Sequence, residues 1–176
     1  MFWRAGSRAG RVFTEILEGF GGDGYRVERS GASARLEREG AVPLRAELVR
    51  QGRIFGGTYL LELSTDEAVL PATGGLRGRP RGVVKLGGVD FRAKGGDEAG
   101  GVLGARLEGD ERLQHALGKV HFDRIRIEPE GRPVIRHMGG SVVWMLFPPL
   151  VRPVPLVPEQ RRLTADALEA FAAADR

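Results

Sequence analysis

The sequence predicts an α+β fold in which a single curved antiparallel sheet of about seven or eight strands packs against an amphipathic helix near each end of the chain. Three observations carry this expectation. Apolar residues recur at three-four spacing in two terminal stretches, they alternate with period two through most of the chain between them, and glycine-rich breaks separate the alternating runs. With 176 residues, 41% of them hydrophobic and 28% charged, the chain is long enough for one core and is read as a single domain over 1–176.

The first helix carries Ala9, Val12, Phe13, Ile16, Leu17 and Phe20 on one face, with Ser7 as its N-cap and Gly21-Gly22 as its stop. The period then changes to two. Tyr25 and Val27, then Ala34 and Leu36, then Leu44, Ala46 and Leu48 face one way while Arg and Glu face the other. A fourth run, Phe55 to Leu63, has Tyr59, Leu61 and Leu63 on one side and a Gly56-Gly57 pair that reads as a bulge or bend, so residues 25–64 form a four-stranded meander. Residues 65–81, broken by Pro71, Gly74, Gly75, Gly78 and Pro80, read as a flexible loop, and 95–109 as a second one. Between them, 83–94 reads as a hairpin turning at Gly87-Gly88.

Asp110 opens a short helix with Leu113, Ala116, Leu117 and Val120 on one face. Three strands follow at 124–128, 133–138 and 141–147, the last apolar on both faces and therefore central. Pro148, Pro149, Pro153, Pro155 and Pro158 impose an extended segment, and the closing helix carries Leu163, Ala167, Leu168 and Phe171. A two-fold helix-then-strands repeat is one further reading. The segment from Tyr25 to Gly40 aligns without gaps on Ile125 to Gly140 and matches Arg26 with Arg126, Glu28 with Glu128, Gly31 with Gly131 and Gly40 with Gly140.

Composition narrows function by exclusion. The chain has no cysteine, which removes disulfides, thiolate metal sites and thiol nucleophiles. No apolar run approaches the roughly 18 residues of a spanning helix, so no membrane span is expected. Arginines in the first eleven residues stand where a signal peptide needs an apolar stretch, which points to a cytoplasmic protein. The basic residues are 24 Arg and three Lys, a skew that high-GC bacterial codon usage produces without selection for binding. The position of the charge says more than its sum. Residues 76–94 hold Arg77, Arg79, Arg81, Lys85, Arg92 and Lys94 against the single acid Asp90, while the rest of the chain has 21 basic and 22 acidic groups. Elsewhere, as in Tyr25-Arg-Val-Glu-Arg and Arg124-Ile-Arg-Ile-Glu, the alternation of sign reads as ordinary solvated sheet surface.

No catalytic, metal or cofactor motif is complete. There is no His-x-x-x-His, no Gly-x-Ser-x-Gly, no Walker lysine, and Gly95-Gly-Asp-Glu-Ala-Gly-Gly puts acids where a phosphate would sit. No cofactor and no catalytic residue are therefore assigned. The leading reading is a non-catalytic bacterial binding or accessory module, with Tyr25, Tyr59, Phe91 and Trp144 lining a pocket for a hydrophobic or amphipathic small ligand or a protein partner. The first alternative is anion or nucleic-acid contact through 77–94, by phosphate neutralisation because only Phe91 there could stack. The second is a hydrolase-like enzyme in which His121 and Asp123, two apart and in register with Ile125 and Ile127, act as base and orienting carboxylate. Open sheet edges make a homodimer a further expectation.

Overall fold

A computed structural model describes residues 2–53, 56–67, 70–71, 73–81, 87–145 and 150–174. Its elements run α1 (Phe2–Gly22), β1 (Arg26–Ser30), β2 (Ser33–Glu37), β3 (Leu44–Arg53), β4 (Gly56–Ser64), β5 (Leu76–Pro80), β6 (Val89–Ala93), α2 (Glu98–Gly109), α3 (Glu111–Leu117), β7 (Phe122–Ile127), β8 (Pro133–His137), β9 (Ser141–Met145), β10 (Leu150–Val154) and α4 (Pro158–Ala174). The fold is α+β as the sequence predicts. The described residues form one open antiparallel sheet of ten strands with four helices, in the order β1-β2-β3-β4-β8-β7-β5-β6, with β9 and β10 attached beside β4.

The sheet forks at β4. One edge of β4 pairs with β3 along its whole length, from Arg45↔Ser64 to Arg53↔Gly56. Its other edge is shared: Gly56–Tyr59 pair with β9, and Glu62–Ser64 pair with β8. Gly56 and Gly57 are therefore not a bulge. They keep a regular register with β3, and a Cβ on either would run into Trp144 of β9, at 2.5 Å from its carbonyl oxygen for Gly56 and 2.9 Å from its ring for Gly57.

One face of the sheet carries the core. Leu36, Leu44, Ala46, Leu61, Leu63, Ile125, Ile127, Ile135 and Val142 join Phe13, Ile16, Phe20, Leu113, Leu117, Leu168 and Phe171 from the helices in one buried cluster. On the opposite face the alternation places arginines and glutamates, together with the buried Leu60 and Val134. No described helix is long and apolar enough to cross a membrane.

Several elements differ from expectation for identifiable reasons. α1 starts at Phe2 rather than after Ser7, because nothing between them breaks the helix. β5 lies inside the expected loop 65–81. Gly78, which made that segment read as a turn, is a strand glycine whose missing side chain leaves room for Val89, Phe91 and Ile125. α2 lies inside the expected loop 95–109: Gly100 and Gly104, four apart, bring the helix close to β6, and a Cβ on Gly104 would sit 3.2 Å from the Phe91 carbonyl. β10 accommodates Pro153 at the margin of the sheet, where among the described residues it pairs with β9 alone. Within the expected hairpin, 87–94 contain β6, whereas its first arm at 82–86, including Lys85, falls outside the described residues.

The proposed repeat is matched locally. β2 and β8 occupy corresponding residues, 33–37 and 133–137, and Gly31, Gly131, Gly40 and Gly140 all have positive φ. The correspondence ends there, since β3 pairs with β2 while β9 pairs with β4 instead of β8.

One histidine is built into the core. His137 is fully buried, and its Nε2 lies 2.6 Å from Thr164 Oγ1 on α4. That hydroxyl donates its own proton to the Gln160 carbonyl at 2.7 Å, which leaves Nε2–H as the donor to Thr164. Burial pushes its pKa down from 6.5 to about 4. The unfolded chain therefore takes up a proton between pH 6.5 and about 4 that the folded chain excludes, and stability falls as pH falls through that window. Urea unfolding of the wild type is expected to lose about 2 kcal/mol between pH 7 and pH 5. His137→Gln should flatten that slope while lowering stability at pH 7; an unchanged slope would assign the pH dependence to other groups.

Candidate functional site

The outward face of β8, β7, β5 and β6 is built from arginines because each strand alternates apolar-in and basic-out. Arg124 and Arg126 flank Ile125 on β7, Arg136 follows Ile135 on β8, Arg77 and Arg79 flank Gly78 on β5, and Arg92 follows Phe91 on β6. Pairing then brings like charges side by side. Arg77 is directly opposite Arg126 on β7 and directly opposite Arg92 on β6, which sets three arginines in a row across three strands. Arg124 is opposite Arg136. Directly opposed like charges are unfavourable on a sheet, with Cβ atoms about 5 Å apart.

Glu62 relieves part of this repulsion. It projects from β4 to the same face, with a side chain only 7% exposed, and receives a bidentate pair from Arg126, Nη1 to Oε1 at 2.7 Å and Nη2 to Oε2 at 2.8 Å. Arg136 donates to the same carboxylate from Nε at 2.8 Å. Burial alone would raise the Glu62 pKa, but the hydrogen bonds from Arg126 and Arg136 hold it below the ordinary carboxylate value. The chain of charge continues from Arg126 to Glu128 at 3.2 Å, and from Glu128 to Arg132, which also reaches Asp66 at 3.5 Å.

Beside this network lies a hollow of about 370 Å³ lined by Leu76, Arg77, Lys94, Arg124, Arg126, Ile127, Glu128, Pro129, Glu130 and Arg136. Five of those residues are cations and two are acids. Arg77, Lys94 and Arg124 form no side-chain hydrogen bond or ion pair with any described residue, and the same holds for Arg79 and Arg92 beside the hollow. Lys94 is fixed at the end of β6 by its backbone N–H to the Gly75 carbonyl at 3.3 Å, while Asp97 accepts from the Gly74 N–H at 2.6 Å.

The six basic residues singled out from sequence are thus divided. Arg77 and Lys94 line the hollow, and Arg79 and Arg92 share its sheet face. Arg81 is neutralised by Asp90 at 2.6 Å and approached by Glu108 at 3.8 Å, and Lys85 lies outside the described residues. Arg124, Arg126, Arg136 and Glu62 were not singled out. Their outward direction follows from the alternation, but the sequence does not say that β7 enters the sheet between β8 and β5.

The four aromatic candidates make separate contacts. Tyr25 packs edge-on against Phe20 at 5.5 Å, with Arg38 over its ring at 4.6 Å, and Phe91 packs against Phe171 at 6.2 Å. Tyr59 and Trp144 are brought close on the adjacent strands β4 and β9, with Trp144 buried beneath Arg50 and Tyr59 half-buried. His121 and Asp123 are both exposed. A register shift between Phe122 and Arg124 turns Phe122 inward, against the alternation expected from sequence, and no hydrogen bond or ion pair joins His121 to Asp123. No cluster of three or more potential metal ligands occurs among the described residues.

A protein-family model described as a protein of unknown function, DUF3156, matches residues 19–174. No curated protein and no solved structure matches the chain.

If Glu62 holds the arginine face together, its loss should be costly. Glu62→Gln leaves two partly buried guanidiniums without their anion and is expected to destabilise by about 3 kcal/mol in urea unfolding. Glu28→Gln removes an exposed pair with Arg26, 2.7 Å apart, and should change stability by no more than about 0.5 kcal/mol. Equal effects of the two would deny Glu62 that role.

Proposed function

We propose for this chain, which belongs to the DUF3156 family of proteins of unknown function, a non-catalytic binding role in which an anionic ligand is held on the open face of the sheet. One observation carries it: Arg77, Arg92 and Arg126 are directly opposed on three adjacent strands, and among the described residues only Arg126 is paired with a carboxylate. An anion arriving there gains Arg77, Arg124 and Lys94 without breaking any protein contact of theirs. Because Glu62 already fixes Arg126 and Arg136, part of the positive field is preorganised and needs no rearrangement on binding.

Arginine suits this task, since it stays charged at any physiological pH and offers a planar fork of donors to an oxyanion. An apolar ligand among Tyr25, Tyr59, Phe91 and Trp144 has less support, because three of these are core residues. The excess of arginine over lysine supports a bacterial source.

The test is a titration of the full chain, at about 50 mM salt, with inorganic phosphate and separately with duplex DNA. At least one should bind, more weakly as salt rises, and the double variant Arg77→Gln, Arg124→Gln should weaken it at least tenfold, about 1.5 kcal/mol or more. Binding of neither anion, or binding that ignores the variant, removes the proposal.

A further inference from the structure

We infer that the anion is a compact oxyanion of the phosphate class, inorganic phosphate or a phosphate monoester, seated between Arg77, Arg124 and Lys94. This rests on the anion-binding reading and specifies its ligand. The size of the site comes first. A hollow of about 370 Å³ falls within the range of small-molecule sites, about 300–1,000 Å³.

Convergence comes second. Arg77 is opposite Arg126, and Arg124 lies two residues before Arg126 on the same strand and the same face. Arg77 and Arg124 are therefore diagonal neighbours, about 7–8 Å apart at the backbone, and two long side chains can close on one tetrahedral anion from that spacing. Lys94 supplies a point charge from the end of β6, and Arg126 and Arg136 stay fixed by Glu62. Phosphate offers enough oxygens to accept from both forks and the ammonium together.

The acids decide against a polymer. Glu128 and Glu130, flanking Pro129, line the same hollow. A continuous phosphate backbone crossing the hollow would bring further phosphates toward these carboxylates, whereas a ligand with one charged end does not. The lining also contains no aromatic side chain on which a base could stack. The uncharged part of a monoester, rich in hydroxyls, suits the side of the hollow where Glu128 and Glu130 can accept from it.

The experiment is calorimetric titration of the full chain at about 150 mM salt with inorganic phosphate, glycerol phosphate and a short DNA duplex. Phosphate and glycerol phosphate should bind and compete with each other, and the duplex should displace neither. Affinity for glycerol phosphate should rise several-fold from pH 5.5 to 7.5 as the monoester, with a second pKa of about 6, gains its second charge. Arg77→Gln and Arg124→Gln should each weaken binding at least tenfold. Both side chains are exposed and free of protein partners, so these variants should fold as the wild type does, and Arg26→Gln on the far edge should bind normally. Tighter binding of glycerol phosphate than of phosphate identifies a monoester, and equal binding identifies the free ion. Binding of the duplex without phosphate overturns this inference and leaves the anion-binding reading standing; binding of none of the three overturns this inference, and binding of none at about 50 mM salt as well overturns both.

Discussion

The carboxylate of Glu62 is the contact on which the outward face depends. It projects from the strand where the sheet forks, and it accepts from an arginine on the adjacent strand and from another one strand further on. Taking a carboxylate and two guanidiniums partly out of water is unfavourable for each alone. Their mutual hydrogen bonds offset that cost only when all three are present. The arrangement therefore fixes the register of β4, β8 and β7 more than it adds stability, because a one-residue slip would send Glu62 to the apolar face.

The two halves of the sheet handle charge differently. On β1 and β2, Arg26 meets Glu28 and Arg35 meets Glu37 two residues along the same strand, and these exposed pairs contribute little, while Arg29 donates to Thr14 and to the Gly31 carbonyl. Across β8, β7, β5 and β6 the outward positions are mostly basic, with Asp90 on β6 and Val134 on β8 as the exceptions, so much of the neutralisation comes from another strand. Glu62 meets part of that need for Arg126 and Arg136. No described carboxylate forms an ion pair with Arg77, Arg79, Arg92, Arg124 or Lys94, although Asp90 is directly opposite Arg79.

This division explains what was legible in the sequence. The helices α1, α3 and α4 and the strands of the meander announce themselves by period, because their apolar faces meet one core. β5 and α2 did not, since Gly78, Gly100 and Gly104 read locally as breaks while acting as points of close approach to side chains and backbone distant in sequence. The local excess of charge at 76–94 was visible, and two of its members, Arg77 and Lys94, line the hollow. The Arg124-Ile-Arg-Ile-Glu segment reads in isolation as balanced surface. It becomes part of a basic face only when β5 is inserted beside β7, and a connection running from β4 past β8 and β7 has no signature in periodicity.

The chemistry of the groups around the hollow bears on what they can do. Arginine keeps its proton throughout the physiological range, so Arg77, Arg124, Arg126 and Arg136 can orient and neutralise an anion but are poor carriers of protons. Glu128 is held below the ordinary carboxylate value: burial raises it, but Arg132 and Arg126 lower it further. It therefore remains an acceptor. His137, with its depressed pKa, is enclosed in the core on the opposite face and hydrogen-bonded to Thr164. The described residues of this face thus combine clustered charge that does not titrate in the physiological range with a carboxylate held as an acceptor.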